Sequence, residues 1–252
     1  MRAIDDTLRQ RLDRTLVTRG LFATRARARD AIMRGTVTVD GQTVTKPAHL
    51  CTNQTEIAVA DPASPYVSRA ALKLKAALDA FPVPVTDAIC LDIGASTGGF
   101  TQALLEAGAA KVHAIDVGHG QMDRALATDR RVHLTEGLNA RDLKADHLAG
   151  DRPWVIVSDV SFISLKLALP AALDLAAPGA HLVALVKPQF EVGRDRVGKG
   201  GLVAVEDAEG AADGIATWLD ARPGWSQKAV IPSPIAGGDG NAEFLLWGAK
   251  DG

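Results

Sequence analysis

Residues 91–108 read LDIGASTGGFTQALLEAG, and this stretch decides the fold class of the chain. Its first residues are apolar, as in a buried strand, and its last residues have the spacing of a helix. A glycine-rich turn joins the two. A strand, a turn and a helix in this order cradle a small ligand, because the helix begins where the strand ends. The spacing of the glycines indicates which ligand classes fit.

This spacing argues against two phosphate-bearing ligands. Gly94 and Gly99 are spaced as in a phosphate-binding loop, but Phe100 stands where that loop needs a lysine. The dinucleotide motif GxGxxG also fits poorly, because Ser96 replaces the glycine at which the backbone approaches the pyrophosphate. The turn therefore disfavours both a nucleoside triphosphate and a dinucleotide.

Two acids flank the turn and suggest another ligand. Asp92 comes just before the turn and suits a ligand with an amino group. Asp116 follows 24 residues later, at the end of the next predicted strand, where a ribose-binding carboxylate is expected. An ammonium and a ribose together describe S-adenosylmethionine. The alternative is a packing turn with two solvent-exposed acids.

From residue 88 onward, predicted strands and helices alternate. This alternation indicates an α/β fold with a mostly parallel sheet covered on both faces. The last two strand-like segments are separated only by turn residues, so one strand of the sheet is expected to run antiparallel. The predicted strands are AICLDIG, KVHAIDVG, RVHLTEG, WVIVSDVS, AHLVALVKP, WSQKAVIPSPI and NAEFLLWGAK.

Residues 1–60 are predicted to form a separate small α+β domain. Two short amphipathic segments end at Gly20 and Gly35, and Thr24 fits the N-cap of the second helix. Asp40-Gly41 lies between two Val/Thr alternations and is typical of a β-hairpin. Residues 61–66, DPASPY, read as a linker, and residues 67–252 as the second domain.

Charge is unevenly distributed along the chain. Residues 1–75 hold 13 Lys and Arg against 7 Asp and Glu, whereas the whole chain has a net charge of −2. A basic front on an acidic body suggests a module that binds a polyanion. The alternative is an arginine-rich helix face that is simply solvated.

Other features of the composition exclude whole classes of function. Cys51 and Cys90 are far apart, and the histidines form no ligand-like cluster, so no metal site is expected. The N-terminus has no apolar signal core, and no run approaches the roughly 18 apolar residues of a membrane helix. These patterns predict a cytoplasmic protein in a reducing compartment, with no membrane association.

Several longer motifs are similar to a known family. They are YVSRAALKL, DIGASTGGFT, IDVGHGQ, SDVSFISL, LVKPQFEVGRDRVGKGG and GNAEFLLW, and they resemble those of the TlyA-type ribosomal RNA 2′-O-methyltransferases, which are also called hemolysins. The resemblance covers nearly the whole chain. It implies an FtsJ-like catalytic domain with the Rossmann-like, doubly wound sheet of class I methyltransferases. It also implies that residues 1–60 are an RNA-binding domain of the ribosomal protein S four type.

The same resemblance implies site residues. The family's catalytic Lys-Asp-Lys-Glu set falls on Lys73, Asp159, Lys187 and Glu243. One departure concerns adenine: many such enzymes have an acid after the third strand, where this chain has Asn139, which could hydrogen-bond the base instead. The implied site for S-adenosylmethionine comprises Asp92, Gly94, Ala95, Ser96, Thr97, Gly98, Gly99, Phe100, Asp116, Asn139 and Asp159.

Two sets of cations are candidates for RNA contacts. One lies in the N-terminal module, where the lack of stacking aromatics other than Phe22 favours structured RNA held through its phosphates. The other lies in the glycine-rich segment after Pro188, interpreted as a mobile loop that closes on the RNA; a plain solvent loop is the alternative. The candidates are Arg11, Arg14, Arg19, Arg25 and Arg29 in the module, and Arg194, Arg196 and Lys199 in the loop.

The predicted residue types also suit the chemistry by themselves. A ribose hydroxyl is a poor nucleophile, and a nearby ammonium lowers its pKa. Lys187 follows a strand, and Asp159 follows the strand before it, so the carboxylate could keep the ammonium charged and aimed. The methyl group arrives already activated by a sulfonium, so the protein's main task is alignment.

Three other functions remain as alternatives: an RNA-binding protein with a degenerate methyltransferase domain, a membrane-acting cytolysin, and a base methyltransferase. All four catalytic positions are filled, which disfavours the first, and no membrane-seeking segment supports the second. By resemblance, the target is a cytidine ribose in 23S ribosomal RNA, with 16S ribosomal RNA as a second target in some members. Few residues precede RLDRTL and only a few follow GNAEFLLW, and by resemblance this favours the short form that modifies the large subunit only. The protein is expected to be a monomer.

Overall fold

The structure is a computed structural model and describes residues 9–252. The chain divides into two compact units, with the division between Ser64 and Pro65. The first eight residues of the predicted N-terminal domain lie outside the described part. Within the predicted linker, Asp61 accepts hydrogen bonds from Arg34 of the first unit at 2.8 Å, whereas Tyr66 packs into the core of the second. The domain boundaries themselves stay a prediction.

The first unit contains the two predicted short helices. The Thr24 hydroxyl accepts a hydrogen bond from the backbone N–H of Arg27 at 3.3 Å, which confirms the predicted N-cap. Leu12, Leu16 and Ile32 are fully buried, so the apolar faces of both helices form the core of this unit. In chain order the elements are β1 (Gln10–Arg11), α1 (Leu12–Thr18), α2 (Arg25–Met33), β2 (Val37–Val39), β3 (Gln42–Thr43), β4 (Leu50–Cys51) and β5 (Ile57–Val59).

The predicted hairpin is present in this unit. Strands β2 and β3 pair antiparallel, with Thr38 opposite Thr43. Asp40 and Gly41 between them have φ values of +48° and +79°, and a turn with two positive φ values suits the right-handed twist of the strands. Strand β5 pairs with the other side of β2, and β1 pairs with β4 in a second small sheet that the sequence pattern did not predict.

The second unit is built on a seven-stranded sheet with helices on both faces. Three 3₁₀ turns within residues 188–201 lie between its last parallel strand and its longest helix. The elements are α3 (Ala70–Ala80), β6 (Ile89–Ile93), α4 (Gly99–Glu106), β7 (Lys111–Asp116), α5 (Arg124–Ala127), β8 (Val132–Glu136), β9 (Val155–Ser158), α6 (Leu165–Ala168), α7 (Pro170–Leu175), β10 (His181–Val186), α8 (Val205–Asp220), β11 (Trp225–Pro232) and β12 (Phe244–Lys250).

The strand order in this sheet is β11-β12-β10-β9-β6-β7-β8. Strand β12 is antiparallel to both of its neighbours, and the other observed pairings are parallel, which confirms the prediction of one antiparallel strand. The chain winds from β6 to β7 and β8 on one side, then returns to β9 on the other. The order therefore reverses at β6, and ligands of such sheets bind at the carboxyl ends of the strands near this reversal.

Both faces of the sheet are buried. On β10, Val183 and Leu185 belong to one apolar cluster, and Leu182, Ala184 and Val186 belong to the other. Successive side chains of a strand point to opposite faces, so a strand that is covered on both sides must be apolar at every position. This is the physical reason for the near-continuous apolar runs that identified the strands in the sequence.

Candidate active site

The glycine-rich turn lies between β6 and α4, at the carboxyl edge of the sheet. Gly94 has a φ of +85°, and a Cβ there would lie 3.1 Å from the carbonyl oxygen of Asp159. Gly98 has a φ of +96°, and a Cβ there would lie 2.5 Å from Leu126. Glycine is therefore required at both positions by backbone conformation and by close packing.

Asp116, the last residue of β7, braces this turn. Its carboxylate accepts hydrogen bonds from the backbone N–H groups of Ser96 and Gly118, each at 2.7 Å. The side chain also lines a cavity of about 900 Å³ in front of the turn. A carboxylate has more acceptor positions than these two bonds use, so Asp116 can also accept from ribose hydroxyls.

Asp92 lies behind the turn, not in front of it. Its side chain is fully buried and accepts a hydrogen bond from the Thr101 hydroxyl at 2.7 Å, while its Oδ1 has no partner. Burial raises the pKa of this carboxyl to about 7, against the opposing effect of the Thr101 bond. Asp92 is not among the residues that line the cavity, so a direct contact with a ligand's ammonium stays a prediction.

A second, smaller cavity of about 150 Å³ adjoins the first. Gly94, Ser96, Asp159 and Ser161 line both cavities, so these residues form their common wall. The smaller cavity is also lined by Ala95, Thr97, Gly99, Phe100 and Lys187. The volume of the larger cavity is within the range of small-molecule sites. The arrangement can thus hold one molecule in the large cavity with its reactive end directed at the small one.

The four predicted catalytic residues form two ion pairs. Lys187 Nζ lies 2.6 Å from Asp159 Oδ1 and forms an ion pair with it, although the contact lacks hydrogen-bond geometry. Lys187 Nζ donates its hydrogen bond to the Ser161 hydroxyl at 2.9 Å. Lys73 Nζ donates to Glu243 Oε2 at 2.5 Å, and both of these side chains are almost fully buried. The sequence separation of the second pair is 170 residues, so only the fold brings it together.

The sheet topology explains this convergence. Asp159 directly follows β9, and Lys187 directly follows the parallel strand β10, so both lie at the carboxyl edge. Glu243 directly precedes β12, which is antiparallel, and Phe244 pairs with Val186 at the end of β10. The antiparallel strand β12 therefore begins at the edge of the sheet where the parallel strands end, and Glu243 lies at that edge.

The two pairs share one electrostatic environment. Burial raises the pKa of the Glu243 carboxyl, and the charge of Lys73 opposes this shift. The charges of Lys187 and Asp159 act on Glu243 as well. The four residues are therefore one polar cluster in a largely desolvated place, and a cation there stabilises a developing negative charge more strongly than it does in water.

The remaining cofactor candidates occupy different positions. Asn139 lines the large cavity, and its Oδ1 accepts from the backbone N–H and the Nε of Arg141. Gly98 lines neither of the two cavities and acts through the shape of the turn.

Two aromatic residues in the cavity wall were not identified from the sequence. Phe162 is 90% exposed with a φ of +65°, and its ring centroid lies 5.3 Å from that of Phe190. Both rings line the large cavity. A side chain this large and this exposed beside a polar cluster is a mark of a ligand surface. The available signal was the position of Phe162 in the motif SDVSFISL, three residues after Asp159.

The structure separates the arginines of the N-terminal module into two groups. Arg11 and Arg25 both pair with the carboxylate of Asp13, which is fully buried, and Arg19 donates to the carbonyl groups of the loop at residues 52–55. Arg14 and Arg29 are exposed and have no ion pair or hydrogen bond with the described residues. Three of the five predicted RNA contacts thus have a structural role, which their spacing in the sequence does not indicate.

In the segment after Pro188, the three predicted cations also differ. Arg196 lies 3.2 Å from Asp207, whereas Arg194 and Lys199 have no such partner in the described residues. The described part of the chain contains no cluster of three His, Cys, Asp or Glu residues placed to hold a metal ion. Within residues 9–252, no helix combines the length and apolar character needed to cross a membrane.

Comparisons with known proteins agree with this fold. The FtsJ-like methyltransferase model matches residues 66–250, and the S4 domain model matches residues 10–57. The chain is therefore an FtsJ-like methyltransferase domain preceded by an S4 domain.

Relatives place the chain within a family. The 16S/23S rRNA (cytidine-2′-O)-methyltransferase TlyA of Mycobacterium tuberculosis is 43% identical over 240 residues, which are 95% of this chain and 89% of that protein. The chain belongs to the TlyA family. The 23S rRNA (cytidine-2′-O)-methyltransferase TlyA of Campylobacter jejuni is 40% identical over 74% of this chain and 72% of its own. The solved structure of a hemolysin-named protein from Streptococcus thermophilus is 40% identical, with a TM-score of 0.75, and covers 96% of this chain and 89% of that chain.

Proposed function

We propose that this protein transfers a methyl group from S-adenosylmethionine to the ribose 2′-hydroxyl of a cytidine in ribosomal RNA. One observation carries the proposal: Lys187 and Asp159 pair at the wall where a ligand-sized cavity meets a smaller polar one. This is the arrangement needed to hold a methyl donor on one side and a hydroxyl on the other. The names of the two TlyA relatives support the cytidine ribose as the target.

The residues of the large cavity fit S-adenosylmethionine. At Gly94 a Cβ would meet Asp159 and Val160, so glycine lets the turn pack against the end of β9, and Gly94 itself lines both cavities. Asp116 is positioned to accept from ribose hydroxyls, and Asn139 would face the adenine. When bound, this cofactor supplies an electrophilic methyl group.

Lys187 performs the central electrostatic task in this proposal. The ribose oxygen would bond to the methyl carbon as the carbon–sulfur bond breaks, and its proton would pass to solvent, so partial negative charge develops on that oxygen. The ammonium of Lys187 stabilises that charge, and Asp159 and Ser161 fix the direction of the ammonium. Removing one charge-stabilising donor of this kind typically lowers kcat by roughly 10²–10³-fold.

The second pair shapes the site around the first. Lys73 and Glu243 are buried and hydrogen-bonded to each other, so each buried charge is compensated by the other. Their charges fix the field in which Lys187 and Asp159 act. Two filled and paired positions support an active enzyme over a degenerate methyltransferase domain.

The aromatic pair supports a nucleic-acid substrate. Phe162 presents nearly its whole side chain to solvent next to Phe190, and both residues line the large cavity. Base stacking on an exposed ring contributes about 1–3 kcal/mol and tolerates different bases. Ser161, the residue before Phe162, lines the small cavity together with Lys187, so a base stacked on Phe162 would place its ribose near that lysine.

We further propose that residues 1–60 dock the RNA, that residues 61–66 link them to the catalytic residues 67–252, and that the protein acts as a monomer in the cytoplasm. The S4 match to residues 10–57 supports the first part. Arg14 and Arg29 are exposed and have no partner within residues 9–252, so they are free to reach phosphates there.

This docking can be tested through salt dependence. Each phosphate contact adds roughly 0.7–0.9 to the log–log slope of affinity against salt. Replacing Arg14 and Arg29 together by alanine should flatten the slope by about 1–2 while the melting temperature stays unchanged. The matched pair Arg11→Ala and Arg25→Ala should instead lower the melting temperature, because it leaves Asp13 buried without a partner. Equal slopes for wild type and the first double variant would mean that RNA is held elsewhere.

The decisive experiment maps 2′-O-methyl groups in ribosomal RNA. Purified protein and S-adenosylmethionine are incubated with 16S and 23S RNA, each naked and in its assembled subunit, from cells that lack the enzyme. A single new 2′-O-methylcytidine that disappears with Lys187→Ala is the expected result. Methylation of a base, or none on any of the four substrates, would overturn the proposal.

A further inference from the structure

The segment after Lys187 is anchored more firmly than its glycine-rich sequence indicates. We define residues 188–203 as the basic loop, since they carry Arg194, Arg196 and Lys199. Its glycine-rich sequence predicts a mobile loop. Gly193 and Gly200 do have positive φ values of +80° and +76°, and the residues between them are exposed except for Val197, which is half-buried. Both ends of the loop, however, are held by another part of the chain.

That other part is the turn before β12, and we define residues 237–243 as the clasp. At the far end of the loop, Asn241 Oδ1 accepts from the backbone N–H of Val203 at 2.9 Å, and Asn241 Nδ2 donates to the Gly201 carbonyl at 2.8 Å. At the near end, Gln189 Nε2 donates to Asp239 at 3.0 Å. Asp239 in turn accepts from the backbone N–H of Asn241 at 3.2 Å.

Asn241 is the central residue of the clasp. It is only 2% exposed, and its carboxamide is used on both sides, once as acceptor and once as donor, by backbone groups of the loop. A carboxylate could replace the acceptor but not the donor, and an apolar side chain could replace neither. The position therefore specifies asparagine chemically, although no step of the proposed reaction uses it.

The location of the clasp gives this contact a consequence. Asn241 lies two residues before Glu243, and the basic loop begins directly after Lys187. The clasp thus ties the loop to both ion pairs of the catalytic cluster. Arg194 and Lys199, in the middle of the loop, are exposed and have no partner among the described residues.

We propose that Asn241 is a positioning residue: it closes the basic loop onto the clasp and so presents Arg194 and Lys199 to the RNA backbone at a fixed place beside the catalytic cluster. The inference rests on the proposed function, because it assigns the loop to the same RNA substrate. With Asn241 in place, the basic loop is pre-organised for RNA and is not free to move. Pre-organisation lowers the entropic cost of binding, so the effect of losing the clasp should fall on RNA binding.

The test uses full-length Asn241→Ala and Asn241→Asp, with Ser233→Ala as the matched control. Ser233 donates its hydroxyl to the Ile235 carbonyl at 2.8 Å, so the control loses one hydrogen bond from the same hairpin connection without touching the loop. Gln189→Ala opens the other end of the loop and serves if the Asn241 variants fold poorly. Four quantities are measured: the KM for ribosomal RNA, kcat, the affinity for S-adenosylmethionine, and the rate of trypsin cleavage after Arg194, Arg196 and Lys199.

For both Asn241 variants we expect the KM for RNA to rise about fivefold or more and cleavage in the loop to accelerate by a similar factor. Cofactor affinity and the control should stay at wild-type values. Unchanged KM and unchanged cleavage would overturn the inference. A loss of kcat alone would also overturn it, because it would mean that Asn241 acts by orienting Glu243 and not by holding the loop. If wild type itself methylates no RNA, the proposed function fails, while the cleavage rates still report whether the clasp holds the loop.

Discussion

The two edges of the large sheet carry the same kinds of charged residue with opposite electrostatic results. At the amino edge, Lys111 Nζ and His113 Nε2 lie 2.7 Å and 2.8 Å from Asp151, and their hydrogen bonds lower the pKa of that carboxyl. At the carboxyl edge, burial raises the pKa of Asp92 to about 7 and raises that of Glu243, although Lys73 lies 2.5 Å from Glu243.

The difference lies in hydration and packing, not in residue type. Asp151 keeps part of its side chain in water, so its partners stabilise the charge with little desolvation to overcome. Asp92 and Glu243 are buried and line neither cavity, so they have little water around them and an ionised carboxyl is disfavoured. An ionised carboxyl in such a place lowers the stability of the fold. Shifted pKa values of this kind are concentrated at functional sites. An ion pair alone would not have distinguished the two edges.

The largest effect should follow from removing the lysine at the carboxyl edge. Lys187→Ala is expected to lower kcat for RNA methylation by at least 10², since it removes the cation beside the reacting oxygen. Lys111→Ala removes a lysine with a similar ion pair from the opposite edge and should leave kcat unchanged. Single-turnover assays on both variants, with calorimetry to confirm normal cofactor binding, make the comparison. Similar losses from the two lysines would erase the proposed distinction.

The free energy of unfolding, measured as a function of pH, should reveal the raised pKa of Asp92. Because burial raises the pKa of Asp92 from 3.8 to about 7, the folded protein binds this proton more tightly than the unfolded chain does. The resulting stabilisation is complete below about pH 4 and is lost as the pH rises to about 7. Relative to Asp92→Asn, wild type should lose a few kcal/mol of unfolding free energy across this window and nothing more above about pH 8. Urea titrations at several pH values measure it, and a constant difference would contradict the raised pKa.

A smaller effect is expected where the carboxyl edge meets the cofactor. Asp116→Ala should weaken S-adenosylmethionine binding by about 1–3 kcal/mol, since it removes the ribose acceptor and frees the backbone of the turn. Titration calorimetry measures the affinity. Asp116→Asn retains an acceptor and is the conservative control, so its loss should be smaller. Tight binding of ATP with no response to S-adenosylmethionine would contradict the reading of the cavity.

The smallest effect should come from the amino edge. Asp151→Asn is expected to lower the free energy of unfolding at pH 7 by about 1 kcal/mol, as for a partly exposed charged hydrogen bond. Methylation and cofactor binding should not change, because the residue lines neither of the two cavities. Denaturant midpoints and methylation assays on the same preparation test both parts. A clear loss of activity would mean that the two edges are coupled through the sheet.

Much of the fold could be predicted from local patterns. Apolar runs of strand length identified all seven strands of the large sheet, and the Asp40-Gly41 turn identified the hairpin of the small unit. The pairing of β1 with β4 was not predicted. Each strand has only two residues, and so short a segment carries no period that can be read.

The sequence predicted which residues form the site, but it did not predict their positions around the cavity or their contacts. The glycine turn and Asp116 follow from spacing, and the four catalytic candidates follow from the resemblance to TlyA motifs. Position relative to the cavity did not follow: Asp92 lies behind the turn, and exposed Phe162 lies in front of it. The pattern of arginines likewise gave no sign that Asp13 holds two of them. Such contacts depend on which side chains the fold brings within 4 Å.

By itself, the sequence determined the class of the protein: an α/β sheet with one antiparallel strand, a glycine turn shaped for a nucleoside-bearing ligand, and a basic N-terminal module. These properties depend on residues that are close together in the chain, and local sterics and hydrophobic periodicity suffice to specify them. Only the tertiary structure decided the pairing of Lys73 with Glu243 across 170 residues, the raised pKa of Asp92, and the attachment of the basic loop to Asn241. Each of these depends on burial and on contacts between distant segments, which exist only after the sheet has assembled and excluded water from its carboxyl edge.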